Sequence, residues 1–436
     1  MDKQALLNRF LAYLDASPTP NHAVRTTVSA LVAQGFQPID LGQPPAELPA
    51  GFRGYVAKGG SLVAFHVGSK PAVESGFRMV SAHTDSPNLR VKPQPYVRSH
   101  GYVRLSVEVY GGAINATWAD RDLGLAGLVA VRDGDGLRQE LVTIHKPVCR
   151  IPNIAIHLNR EVNSTGLKLN AQSELPALFS LDGDGVEDPL RAVLSAELGV
   201  AASDVLTWDL SLYDLTPARI IGAHDEFLCS ARLDNLASCH AGLEALLESV
   251  AHGIPESTSI LALFDHEEVG SLSGRGANSR TLEEVLRLIL RNAEPKGRGS
   301  FSRSLAHSWL VSADMAHAVH PSHAEMHDGT HMPKMGSGPV IKQNANKRYG
   351  TDADTAAMFM LLCERTDTPV QWFVNRSDLS CGTTVGPILA SRLGVRTVDV
   401  GNPMLSMHSA REMCGTEDHP LMTRVLAQFF ERARIA

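Results

Sequence analysis

The feature that most narrows the fold is a series of short, predominantly apolar runs spread along both ends of the chain. SLVAFHVG (61–68), FRMVSAHTD (77–85), SILALFDHE (259–267), SWLVSAD (308–314), VQWFVN (370–375) and VRTVDVG (395–401) all read as strands apolar on both faces. Such strands must be covered on both faces, which points to an α/β architecture with a largely parallel sheet between helices. The covering helices are also legible. Leu6, Leu7, Phe10, Leu11 and Leu14 fall on one face of a helix over 3–14. A second spans about 23–34, opened by Pro20 and Asn21 and closed by Gly35. Further helical patterns occupy about 235–251, 281–293, 352–365 and 420–434, and ILASRLG after 387 continues as another.

Between these stretches, residues 95–230 have a different texture. YVRLSVEVYG and LAGLVAVRDGDGLRQELVTI alternate apolar with polar residues, and DGDG marks a hairpin. A chain of 436 residues exceeds what one core usually organises. We therefore expect a discontinuous domain, 1–94 plus 231–436, interrupted by a β-rich insert, 95–230. The formal charge of −7 comes without a basic stripe, which argues against nucleic acid as a partner. MDKQALLNRFLAYLDASPTP lacks the apolar core of a secretory signal, and no apolar run is long enough to cross a bilayer. Six cysteines without a CxxC pair read as reduced thiols, and cytoplasmic localisation without a membrane partner is the expectation.

Four segments carry apolar strands straight into acidic or histidine residues: VSAHTDSP (His83, Asp85), LFDHEEVGS (Glu267, Glu268), LVSADMAH (Asp314) and LSMHSAREM (His408). Open parallel sheets bind ligands at the carboxyl ends of their strands, so this pattern delivers metal-binding groups to one edge. Zinc takes nitrogen and oxygen ligands, and a two-metal site needs a carboxylate between the ions. Asp234 in SARLDNLAS, at the start of a helix, is the candidate bridge. Taken singly, each segment also reads as a strand cap or a solvated acidic pair; their joint occurrence favours the metal site. HEEVG is not the helical HExxH motif, since Gly270 stands four after His266, and His266 is not read as a ligand. Other decoys fail: DGDGVED (182–188) lacks the EF-hand ligand order, no P-loop or dinucleotide fingerprint is present, and Cys381 lacks a neighbouring His–Asp pair.

SAHTDSPNLRVKP, LDNLASC, FDHEEVGS, SADMAHAVHP, CGTTVGPILASRLG and MHSAREM together resemble the aspartyl aminopeptidase family of two-zinc metallo-exopeptidases, in the same order over nearly the whole chain. The resemblance implies a three-layer, phosphorylase/hydrolase-like catalytic domain with a β-rich dimerisation insert. It assigns one zinc to His83 and Asp314, the second to Glu268 and His408, and Asp234 to both, with cobalt or manganese as replacements. Glu267 matches the general base and Asp85 the carboxylate that orients the His83 imidazole. For substrate binding it implies His157, reaching a neighbouring subunit's active site, with Lys342, Tyr349 and His317 in the pocket. A lysine there suits an acidic substrate side chain; read blandly, it is a surface lysine. The implied reaction removes Asp, then Glu, from peptide N-termini, in a homo-oligomer, a dodecamer. A neutral-residue aminopeptidase, a deacylase or carboxypeptidase, and a scaffold without chemistry are the alternatives. RSDLS, before CGTTVGP, departs from the animal relatives' pattern, and the histidines 317, 320, 323, 327 and 331 read as a polar loop more readily than as a separate metal site.

Overall fold

The computed structural model describes residues 2–183, 187–291 and 299–432. Its centre is a nine-stranded sheet in the spatial order Gln37–Pro38, Arg53–Lys58, Ser61–His66, Thr258–Phe264, Phe77–His83, Trp309–Ala313, Arg396–Gly401, Val340–Gln343, Gln371–Val374. Each of the six apolar runs becomes a strand of this sheet. The four strands from Thr258–Phe264 to Arg396–Gly401 run parallel, whereas Ser61–His66 and Val340–Gln343 pair antiparallel with them at either side. The sheet is thus parallel at its centre and mixed toward its edges. Arg53–Lys58 and Val340–Gln343 escape the sequence reading because both are short and carry charged residues.

Successive side chains of a strand point to opposite faces, and each face is covered. Val80 and Ala82 face a core shared with the helices Lys3–Asp15, Pro20–Ala33, Leu233–Ala251, Ala353–Arg365 and Asp418–Glu431. Phe77 and Met79 face the other core, built with Thr281–Leu290, Ser300–Ala306 and Val385–Leu393. The result is a three-layer α/β/α sandwich. The last residues of the expected helices 281–293 and 420–434, and part of DGDGVED, lie outside the described residues.

A second, antiparallel sheet takes its six strands from Asn88–Ser99, Tyr102–Tyr110, Leu123–Asp133, Gly136–Cys149, Ala177–Leu181 and Val205–Asp214. It closes its own core with Leu190 and Leu194 of the helix Pro189–Leu198. DGDG forms the expected hairpin: Asp133 pairs with Gly136, and Gly134 takes a φ of 58°, the left-handed region that glycine enters without strain. A third sheet of five short strands, from Arg219–Ile221 to Ala316–His317 in spatial order, has no counterpart in the sequence reading. Strands of two to four residues are too short for periodicity to register. This sheet matters because its antiparallel pair Pro403–Leu405 and Glu412–Gly415 presents the loop bearing His408.

Histidines reinforce the helical layer as neutral groups. His22 joins Thr19 Oγ1 and, across to the second sheet, Thr143 Oγ1, each at 2.7 Å. His240 meets His419 at 2.9 Å, and His419 stacks on Phe10 at 3.9 Å between ring centroids. Burial drives His22 and His240 down to about 3 and His66 down to about 4. A histidine depressed in the fold contributes stability that is present above its unfolded pKa and lost as pH falls toward the folded value. The denaturant midpoint is therefore expected to drop between pH 6.5 and 4, each neutral histidine contributing about 1.4 kcal/mol per pH unit. Replacing His240 with Gln should flatten that pH slope relative to wild type. An equal slope in the two proteins would contradict the assignment.

Candidate metal centre

The strands Phe77–His83 and Thr258–Phe264 end together, with His83 the register partner of Phe264, and Asp314 follows directly on Trp309–Ala313. These are carboxyl ends of parallel strands, where loops gather around a ligand. The Asp314 amide donates to Val400 O at 2.9 Å. A Cβ on Gly401 would lie 1.8 Å from the Asp314 carbonyl oxygen, so only glycine lets the two segments run this close. Asp234 stands at the start of Leu233–Ala251 with non-helical dihedrals, φ −81° and ψ 105°. Its carbonyl accepts from Ser86 Oγ at 2.6 Å, and Asn235 Nδ2 donates to Ala313 O at 2.9 Å.

The convergence turns on Asp234. Its Oδ1 lies 3.3 Å from His83 Nε2, and its Oδ2 lies 3.4 Å from His408 Nε2. His83 Nε2 also lies 3.4 Å from Asp314 Oδ1, and His408 Nε2 lies 3.3 Å from Glu268 Oε1. Two half-sites, His83–Asp314 and His408–Glu268, therefore share one carboxylate that offers each a different oxygen. The donor set fits zinc. The ligand atoms of His83, Asp234 and Asp314, and those of Asp234, Glu268 and His408, each lie within 4.8 Å of one another. Asp234 Oδ1 is buried and accepts no hydrogen bond, a costly state for a carboxylate that a cation would relieve.

Asp85 touches more than the His83 imidazole. His83 Nδ1 lies 3.0 Å from the Asp85 backbone carbonyl and 3.5 Å from its carboxylate. The carboxylate accepts from the Glu267 and Glu268 amides at 3.0 and 3.1 Å, and from Tyr110 Oη at 2.6 Å. It thereby fixes the Glu267–Val269 turn against the strand bearing His83. Burial opposes its charge, but His83 and Tyr110 hold it below the usual carboxylate range.

Crowded charge shapes the titration of the whole cluster. Burial pushes the Glu267 carboxyl up to about 8, with His83 opposing and Asp314, Glu268 and Asp85 adding. Burial likewise raises Glu268 to about 7. For His408 burial disfavours the cation, yet contacts with Asp234 and Glu268 outweigh it and raise the group to about 11.

His83, Asp234, Glu267, Glu268, Asp314 and His408 open onto one cavity of about 320 Å³, which His317, Lys342 and Tyr349 also line. Lys342 is 2% exposed, far from the surface lysine of the bland reading. Its Nζ lies 3.4 Å from Asp314 Oδ2, donates to Met315 O at 3.2 Å, and sits 5.2 Å from the centre of the Tyr349 ring. His317 packs edge-on against Phe373. His157 stands apart, on an exposed stretch of the second-sheet region. His266 is engaged with Ser273 Oγ at 2.7 Å and Arg275. His320 and His327 line an adjoining hollow, and His323 and His331 pair with Glu325 and Asp328.

Sequence reasoning missed the supports. Glu412, 2% exposed, accepts from the His408 amide through Oε1 at 2.7 Å and from the Asp234 amide through Oε2 at 3.0 Å. It ties the shared carboxylate of Asp234 to the His408 loop, where His408 itself adopts a φ of 68°. Burial, with Asp234 adding, pushes Glu412 up to about 8. The only signal was an acidic residue four positions past His408 in a segment already singled out. The second sheet's connection also reaches in: His408 Nδ1 lies 3.2 Å from Gly112 O, and the Ile114 amide donates to His408 O at 3.0 Å. Nothing in the sequence marks Tyr110 or Gly112 for this.

A three-layer sandwich that gathers two His–carboxylate half-sites around one shared carboxylate, beside the carboxyl ends of its parallel strands, is a frame fitted to a zinc-dependent hydrolase. The family model described as Aminopeptidase I zinc metalloprotease (M18) matches residues 13–430, and the chain belongs to that family of zinc metalloaminopeptidases. The probable M18 family aminopeptidase 2 of Ectopseudomonas mendocina is 47% identical over 433 residues, covering 98% of each chain. That of Pseudomonas paraeruginosa is 48% identical over 438 residues, covering 99% of this chain and 100% of the relative. Among solved structures, the cryo-EM complex of Ape4 and Nbr1 superposes with a TM-score of 0.94 at 37% identity, over 98% of this chain and 86% of that one. The S. cerevisiae mApe1 dodecamer superposes with a TM-score of 0.86 at 27% identity, over 99% and 97%. Among the described residues no helix is long and apolar enough to cross a membrane, and all six cysteines are free.

Replacing Glu412 with Gln leaves one carbonyl for two backbone amides and sets an amide donor against the other. Zinc retention in a chelator titration is expected to weaken about 10- to 100-fold, the usual cost of losing an outer support of a metal site. Retention equal to wild type would show that Glu412 does not hold the ligands in place.

Proposed function

We propose that this chain removes acidic residues, Asp before Glu, from the N-termini of peptides, using a zinc pair held by His83 and Asp314 on one side, Glu268 and His408 on the other, and Asp234 between. The observation that carries the proposal is Asp234 offering one oxygen to each imidazole, at 3.3 and 3.4 Å. When bound, the metal pair supplies Lewis-acid polarisation of the scissile carbonyl and eases deprotonation of the attacking water. Glu267 takes that proton and returns it to the departing amine. Its carboxylate lines the cavity beside His83 and Glu268, and Asp85 holds its backbone still. A base raised toward neutral pH by burial is matched to proton transfer in both directions.

Selectivity falls to Lys342, the buried cation of the cavity, whose ammonium meets the carboxylate of an N-terminal Asp or Glu while Tyr349 and His317 frame it. A neutral-residue preference is the second reading, favoured by the ion pair that already occupies Lys342 at Asp314. Self-association follows the mApe1 dodecamer that this chain resembles. In that arrangement residues 95–230 form a dimerisation and lid unit on the catalytic part, 1–94 plus 231–436. Ile154, Ile156 and Leu158, exposed by 56%, 46% and 76%, flank His157 and supply an apolar surface for a neighbouring subunit. The free thiols suit a reducing, cytoplasmic setting.

Two variants test this reading. Glu267→Gln should keep its zinc yet lose turnover by a factor of about 100 to 10,000, the range typical of a lost general base; near-wild-type rates would remove Glu267 from the mechanism. Lys342→Ala should abolish the preference for Asp- over Leu-peptides. If wild type itself cleaves Leu-peptides as readily as Asp-peptides, the neutral reading replaces the acidic one.

A further inference from the structure

Beneath the cavity lies a carboxylate that touches no metal ligand at hydrogen-bond distance and does not line the pocket. Asp399, 0% exposed, sits in the strand Arg396–Gly401 as the antiparallel register partner of Lys342. Directly paired residues project to the same face of a sheet, so the Asp399 carboxylate and the Lys342 stem are neighbours. Burial raises the Asp399 carboxyl above the usual carboxylate range, and Lys342 is the largest influence opposing that rise. The Asp399 carboxylate bonds the pocket walls: Oδ1 accepts from Thr384 Oγ1 at 2.6 Å, and Oδ2 accepts from the Gly350 amide at 2.5 Å. Thr384 and the residue before Gly350, Tyr349, both line the cavity. A Cβ on Gly386 would approach Asp399 Oδ2 to 2.3 Å, so this loop is cut to fit the carboxylate.

The charge count around Lys342 then decides what the pocket can attract. The Lys342 ammonium pairs with Asp314 at 3.4 Å, and a second buried carboxylate, Asp399, stands at the paired position of the neighbouring strand. With Asp314 committed to a cation, Asp399 is the carboxylate left beside the Lys342 strand to offset its charge, which weakens the pull on an incoming acidic side chain. We propose that Asp399 is the specificity-setting residue of this pocket: it positions both walls and, by compensating Lys342, limits how strongly acidic N-terminal residues are favoured. The inference rests on Lys342 facing the substrate side chain, as read above.

The test separates charge from position. In Asp399→Asn the side-chain carbonyl can still accept from the Gly350 amide, and the amide can donate to Thr384 Oγ1, so the walls stay tied while the charge goes. The kcat/KM ratio for otherwise identical peptides beginning with Asp and with Asn should rise about tenfold or more over wild type, the scale of one uncompensated charge several ångströms away in a partly buried site. Zinc content should be unchanged, and free aspartate should raise Tm more, relative to asparagine, than it does in wild type. Thr384→Val, which loosens one wall but keeps the charge, should lower both rates and leave their ratio alone. A ratio that is unchanged or reduced in Asp399→Asn, or one that rises equally in Thr384→Val, would overturn the inference. Should Asp399→Asn not fold, Asp399→Ser removes the same charge and is read by the same ratio. The ratio change is measurable whichever residue wild type prefers. A wild type indifferent to Asp therefore defeats the acidic reading of the function without deciding this one.

Discussion

Buried carboxylates repel one another, and in a site shielded from water they cannot all ionise unless cations share the space. Around Asp234 this chain gathers Asp85, Glu267, Glu268, Asp314 and Glu412 within a few side chains of each other. His83, His408 and Lys342 answer them at close range. Burial and mutual repulsion raise Glu267 and Glu412 to about 8, while neighbouring carboxylates raise His408 to about 11. A divalent cation bound there would reverse this balance, because groups that bind a metal must give up their protons. The arrangement makes sense as a site built around charge that arrives from outside.

Keeping like charges this close requires a stiff frame, and the frame is assembled from all three sheets. The central sheet supplies His83 and Asp314 from strands that are apolar on both faces and buried on both. The helix Leu233–Ala251, packed under that sheet, brings Asp234. The small third sheet presents His408, and Glu412 locks its backbone to that of Asp234. The second sheet adds Tyr110 against Asp85, while the connection after it lays the Gly112 carbonyl against His408. No single segment could hold the geometry, which is why ligands so distant in sequence depend on the whole fold.

The same frame extends into the pocket. Lys342 is buried beside a ligand and above Asp399, and Asp399 reaches to both loops that close the cavity. The candidate metal centre and the Lys342 pocket are thereby built on adjacent strands of one sheet edge. Lys342 and Asp314, 3.4 Å apart, join the two.

The sequence alone determined the parts that follow from local chemistry. Apolar strands ending in His83, Glu267, Glu268 and Asp314 declared both a sheet buried on two faces and a ligand edge, because each run carries its burial pattern and its terminal ligands together. The DGDG hairpin and the helical layer were legible for the same reason: turn chemistry and 3.6-residue periodicity are properties of neighbours along the chain. What only the tertiary structure decided are relations between segments far apart. Short strands without periodicity, the Glu412 clamp, the accepting role of Asp85 toward Tyr110 and the Glu267 turn, and the pairing of Lys342 with Asp399 all belong here. Whether a carboxylate is a cap, a ligand, a support or a counter-charge depends on which groups folding brings within about 3 Å of it, the reach of a hydrogen bond, and a linear pattern does not carry that distance.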